Sequence, residues 1–138
     1  MFGLRAINDT SEHAASYYAA TVNQTTAYPR LTENLSCDVV VVGGGFSGVN
    51  TAVELSERGL DVALIEANRI GWGASGRNGG QIIGGIGHTP ERFKKLIGET
   101  GINSIYQMGF EARDIIKDRV ATYDIQCDLK WGYCDVAL

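Results

Sequence analysis

Four consecutive valines at 39–42, between Asp38 and Gly43, form an apolar run too short for an ordinary helix. β-Branched residues in such a run predict a strand over 38–42, buried on both faces as in a parallel sheet. From residue 46 the period changes. Val49, Ala52, Val53 and Leu55 give a helix over 46–58 an apolar side, and Gly59 stands where a C-terminal cap belongs. "VALIE" at 62–66 ends a second apolar stretch on an acid and predicts another buried strand over 60–66. Strand, turn, helix and strand in about thirty residues describe a unit with parallel strands and a right-handed crossover.

The flanks read differently. Residues 1–36 are polar and small, an irregular leader with a short helix near 13–20. Two readings stay open for it: a segment pinned to the body by Tyr17, Tyr18 and Tyr28, or a disordered tail. Residues 69–87 form a glycine-rich loop that fits neither period. Thr89 and Pro90 then look like an N-cap and a first helical residue. Two helices are expected, over 90–97 and about 102–121, the second packing through Ile102, Ile105, Gly109, Ala112, Ile116 and Val120. From Ile125 the sequence alternates around Trp131, Gly132 and Tyr133, predicting one or two strands of a different sheet. The expected segments are thus 1–36, 37–88, 89–122 and 123–138. The fold class is α/β: a Rossmann-like βαβ unit, then helices, then the first strands of a further sheet, an incomplete fold.

Composition narrows the picture. The chain has 138 residues, 44% of them apolar, enough for one ordinary domain with a core. A net charge of −4 argues against a nucleic-acid partner, which needs a basic face. Thirteen of the 18 glycines lie between Gly43 and Gly87, so sharp turns or close backbone approach concentrate there. Cys37, Cys127 and Cys134 are odd in number and far apart, which suits thiols in a reducing compartment. His13 and His88 form no ligand-spaced cluster, and no metal site is expected. The first thirty residues contain no signal-like apolar segment, and no run is long enough to span a membrane, so a cytoplasmic location is expected.

Gly43, Gly45 and Gly48 spell G-x-G-x-x-G between the first strand and the helix. Alone this string is weak; in that context each glycine has a task. Gly43 permits the turn, Gly45 lets a pyrophosphate approach the backbone, and Gly48 lets helix and strand pack closely. Phe46 and Ser47 open the helix, whose N–H groups and positive dipole end suit phosphate. Glu66 lies 18 residues beyond Gly48. A carboxylate there accepts from ribose hydroxyls and repels a 2′-phosphate, so FAD or NAD is expected rather than NADP. "GWGASGRNGGQ" at 71–81 leaves the strand that ends at Glu66, and Arg77, Asn78 and Gln81 supply donors beside the nucleotide.

"SYYAA" (16–20), "CDVVVVGGGFSGVNTAVELSERG" (37–59), "IEANRIGWGASGRNGGQ" (65–81) and "IQCDLKWGY" (125–133) carry a family resemblance. The chain resembles the FAD-dependent amino-acid oxidoreductases related to D-amino-acid oxidase, and within them the γ-glutamylputrescine-oxidising branch. The resemblance implies FAD as cofactor, with Gly43, Gly45 and Gly48 at the pyrophosphate, Glu66 at the adenosine ribose, and Ala67 also among the cofactor-binding residues. It further implies Arg69 near the adenosine end. Ala74, Ser75, Arg77, Asn78, Gly79 and Gln81 would run along the ribityl chain toward the flavin ring. The implied substrate is a small-molecule amine, oxidised at its α-carbon. Family members are much longer, so a missing C-terminal part is expected to supply the catalytic residues. Two alternatives remain: a stand-alone dinucleotide-binding module, and part of an NAD-dependent dehydrogenase. With only two parallel strands to cover, the isolated chain is expected to self-associate or to need a partner segment.

Overall fold

The computed structural model of the chain describes residues 12–83, 90–132, 134 and 136. The chain divides into two compact units, Met1–Gly79 and Gly80–Leu138.

In the first unit, β1 (Val39–Val42) and β2 (Val62–Ile65) pair in parallel, with Val39 opposite Val62 and Val42 opposite Ile65. Parallel strands cannot be joined by a hairpin, and helix α2 (Phe46–Glu57) makes the crossover, packing against both strands. Its C-terminus closes as expected. Gly59 takes φ +85°, its N–H donates to Ser56 O (2.9 Å), and the Leu60 N–H donates to Leu55 O (3.2 Å). This pair of bonds satisfies two of the last carbonyls of the helix and turns the chain into β2. Upstream, the described part of the leader contains a helical turn, α1 (Tyr17–Ala20), capped by Ser16 Oγ, which accepts from Ala19 N at 3.2 Å.

Two expectations for this unit are corrected. The valine strand is not buried on both faces: Val39 and Val41 are half-buried, whereas Val40 and Val42 are 53% and 79% exposed. Alternation along a strand sends neighbouring side chains to opposite faces, and α2 covers one face only. Nor do the leader tyrosines pin it, since Tyr17, Tyr18 and Tyr28 are all exposed.

In the second unit, a 3₁₀ turn (Pro90–Phe93) leads into α3 (Lys94–Thr122). The expected two helices are present within this stretch and meet at Gly98, whose φ of +68° and ψ of −177° break the helical run between them. Tyr106 Oη donates to Glu91 Oε1 (2.9 Å), tying α3 to the 3₁₀ turn. Of the expected packing face, Ile102 alone is buried, while Ile105 and Gly109 are half-buried and Ala112 and Ile116 are exposed. The proposed cap Thr89 lies outside the described residues.

No strand forms among the described residues beyond Ile125, and Asp124 and Asp128 take φ of +47° and +52°. A strand is held by its neighbour's ladder, and alternating sequence without a partner has nothing to pair with. Among the described residues no helix is long and apolar enough to cross a membrane.

Candidate cofactor site

The turn between β1 and α2 is built by backbone geometry that other residues would disturb. Gly43 sits at φ +103°, and its N–H prolongs the sheet ladder by donating to Ile65 O at 2.8 Å. A Cβ on Gly48 would overlap the Gly43 carbonyl oxygen, so the first turn of α2 lies directly against the end of β1. Gly45 is the N-cap of α2, and a Cβ there would stand 3.0 Å from Ser75 Oγ. That hydroxyl accepts from the Phe46 N–H at 3.0 Å. Gly45 has no side chain to cap the helix, so the cap comes from a loop 29 residues away. Ser47 and Gly48 follow in the first turn, where N–H groups lack intrahelical acceptors and the helix dipole favours an anion.

Ser75→Ala is expected to lower stability by about 1 kcal/mol through loss of this cap, with Ser75→Thr close to wild type. Urea denaturation followed by circular dichroism measures it. Equal midpoints for wild type and Ser75→Ala would remove the hydroxyl from the account.

Glu66 follows directly after β2. Its Oε2 accepts from the buried Gly44 N–H at 2.7 Å and its Oε1 from the Asn68 N–H at 2.9 Å. The Gly44 bond first, and the Asn68 bond after it, hold the carboxyl below the usual carboxylate range against the opposing effect of partial burial. It is therefore ionised at neutral pH. The carboxylate bridges the glycine turn to the residues after β2, and Ala67, on the bridged segment, is exposed.

The segment after Asn68 folds back on the turn. The Gly71 N–H donates to Gly44 O at 2.8 Å, and a Cβ on Gly44 would lie 2.5 Å from Ile70 Cδ1. Arg69 is 28% exposed and pairs with Glu12 of the leader at 2.9 Å. The stretch 71–81 is not wholly irregular, because Ala74–Gly76 forms a 3₁₀ turn. Its carbonyls are satisfied by the side chains that follow. Asn78 Nδ2 donates to Ser75 O (2.8 Å) and Ala74 O (3.2 Å), and Arg77 Nε donates to Gly73 O (3.2 Å). The Arg77 guanidinium also lies over the Trp72 ring, 5.4 Å from its centroid. Small residues are needed here too, since a Cβ on Gly76 would overlap Gly71 O.

The structure thus brings together Gly43, Gly45, Phe46, Gly48, Glu66 and Ser75 around the start of α2. Ala67, Arg69, Ala74, Arg77 and Asn78 lie on the segment leading from it. Gly79 ends this unit, and Gln81 belongs to the other. Three participants escaped the sequence reading. Gly44 is the unassigned position of the motif, yet its N–H and C=O hold Glu66 and Gly71. Glu12 and Trp72 meet across 60 residues, a pairing with no sequence signal.

A parallel strand–helix–strand unit with a glycine turn at the helix start and an acid after the second strand defines this protein as α/β. The family model described as FAD dependent oxidoreductase matches residues 38–138, and the chain belongs to that family, whose cofactor is FAD. It is 42% identical to the γ-glutamylputrescine oxidoreductase of Escherichia coli (strain K12) over 128 residues, 93% of this chain and 30% of that protein. It is 43% identical to a probable oxidoreductase, OrdL, of Haemophilus influenzae over 127 residues, 92% of this chain and again 30% of the relative. A second OrdL, from Rhizobium meliloti, is 35% identical over 88% of this chain and 28% of its own length. The chain therefore spans under a third of the length of these relatives, matching their N-terminal part. No solved structure matches the chain significantly.

Proposed function

We propose that this chain supplies the FAD-binding part, Rossmann-like in design, of an enzyme that oxidises an amine or amino acid at the carbon bearing nitrogen. The observation that carries the reading is the ionised Glu66, held by the Gly44 N–H at the start of a helix whose Gly48 touches the Gly43 carbonyl. Cβ-free turn residues, helix N–H groups and a carboxylate facing one ligand suit a pyrophosphate joined to a ribose. In this reading Gly43, Gly45, Phe46, Ser47 and Gly48 receive the diphosphate, Glu66 takes the ribose hydroxyls, and Ala67 lies beside the cofactor. Arg69 serves the adenosine end. Ala74, Ser75, Arg77, Asn78, Gly79 and Gln81 serve the remainder of the cofactor. The negative charge of Glu66 disfavours a 2′-phosphate. The bound flavin would supply the redox chemistry, accepting a hydride at N5 from the amine's α-carbon, after which the imine hydrolyses.

The name of the Escherichia coli relative supports γ-glutamylputrescine as the substrate. Residues that would hold the amine are sought in sequence equivalent to the remaining two-thirds of the relatives. The exposed Val40 and Val42 support the further reading that the 138-residue chain alone self-associates or takes up such a segment. A cytoplasmic site of action completes the proposal.

The test is the absorption spectrum of the full translation product after incubation with FAD and desalting, followed by anaerobic addition of γ-glutamylputrescine. Stoichiometric flavin bands that bleach with this amine are the expected result. A folded protein that retains NAD but no flavin would sink the reading; bands that bleach only with other amines would move the substrate.

A further inference from the structure

Glu12 lies in the polar leader, yet it touches the segment beside the proposed cofactor site twice. Its carboxylate Oε1 pairs with Arg69 Nη2 at 2.9 Å, and its backbone carbonyl accepts from Trp72 Nε1 at 2.9 Å. These two bonds bracket Ile70 and Gly71. Those are the residues that rest on the glycine turn, Ile70 against Gly44 and the Gly71 N–H on Gly44 O. Gly44 in turn donates to Glu66. Contacts therefore run without a gap from the leader through 69–72 and Gly44 to the carboxylate. The Trp72 ring also carries the Arg77 guanidinium, so the indole is held through both its N–H and its face.

We infer that Glu12 is a positioning residue: it straps segment 69–72 onto the glycine turn and so sets Glu66 and Arg69 for the nucleotide half of the cofactor. The inference rests on the FAD reading above. Stability alone does not account for the strap, because the Glu12 side chain is 75% exposed and an ion pair so placed adds little to folding. What the paired bonds supply is restriction of a glycine-flanked segment that would otherwise sample many backbone states.

The test measures dissociation constants of FAD, and of ADP as a probe for the nucleotide half alone, on the full translation product. Glu12→Gln is expected to weaken both about two- to fivefold, with Glu12→Asp restoring part of the loss. Trp72→Phe, which keeps a ring but lacks the donor, should weaken both similarly. Glu12→Gln combined with Arg69→Gln should be no weaker than Arg69→Gln alone, because Glu12 acts through Arg69. Wild-type affinities in both Glu12→Gln and Trp72→Phe, or strictly additive losses in the double variant, would overturn the strap and leave the FAD reading standing. A wild type that binds neither FAD nor ADP would overturn the functional reading and the strap with it.

Discussion

Gly48→Val is expected to abolish flavin retention and to destabilise the first unit by about 3 kcal/mol or more. An added Cβ at 48 would overlap the Gly43 carbonyl oxygen and stand 3.5 Å from Val41 Cγ1. Gly43 has little freedom to retreat. It is already at φ +103°, and its N–H is committed to Ile65 O in the ladder. Relief must come from α2 moving outward, which separates the Phe46 N–H from Ser75 Oγ and removes the apolar cover from Val39 and Val41. Gly48→Ala sets two effects against each other. Helix propensity gains about 0.5–1 kcal/mol, while the clash costs about 1–3 kcal/mol, so the smaller variant should still be destabilised. Desalting followed by absorbance at the flavin bands, with urea midpoints in parallel, decides it. A Gly48→Val protein that keeps stoichiometric flavin and an unchanged midpoint would mean that α2 does not lie against the turn.

The second large effect concerns Glu66. Glu66→Ala leaves the buried Gly44 N–H without its acceptor, at a cost of about 1–3 kcal/mol in stability. If the same carboxylate holds ribose, FAD affinity should fall about 100-fold, as expected for two charge-assisted bonds of about 1.5 kcal/mol each. The carboxyl's folded pKa lies below its ordinary 4.5, chiefly through the Gly44 N–H. A lowered pKa contributes stability that is fully present above the ordinary value and is lost as pH falls through the folded one. Wild type should therefore lose stability more steeply than Glu66→Gln as pH falls below the ordinary carboxylate value of 4.5. Parallel curves over that range would show that Glu66 is not held as an anion, and undiminished FAD affinity in Glu66→Ala would remove it from the site.

The residues that could be assigned from sequence were those whose role is local. Gly43 is needed because the chain must leave a strand at positive φ, a demand set within a few residues. Gly59 ends α2 for the same reason, and the valine run and the 49–55 apolar positions specify strand and helix by their own periods. Glu66 was recognisable because it sits where a strand of predictable length stops. Residues 125–132 show the limit of such reasoning. Their alternation promises a strand, but the ladder that would hold one is not formed, and the described chain there is irregular.

By itself, then, the sequence determined the order of β1, α2 and β2, the glycine turn between them and the acid after the second strand. Each follows from backbone sterics and side-chain periodicity over short distances. Tertiary structure alone decided that Ser75 caps α2 and that Gly44 holds both Glu66 and Gly71. It also decided that Glu12 reaches Arg69 and Trp72, and that one face of the valine strand stays uncovered. Those outcomes depend on which distant segments meet, and no local pattern in this chain encodes the meeting.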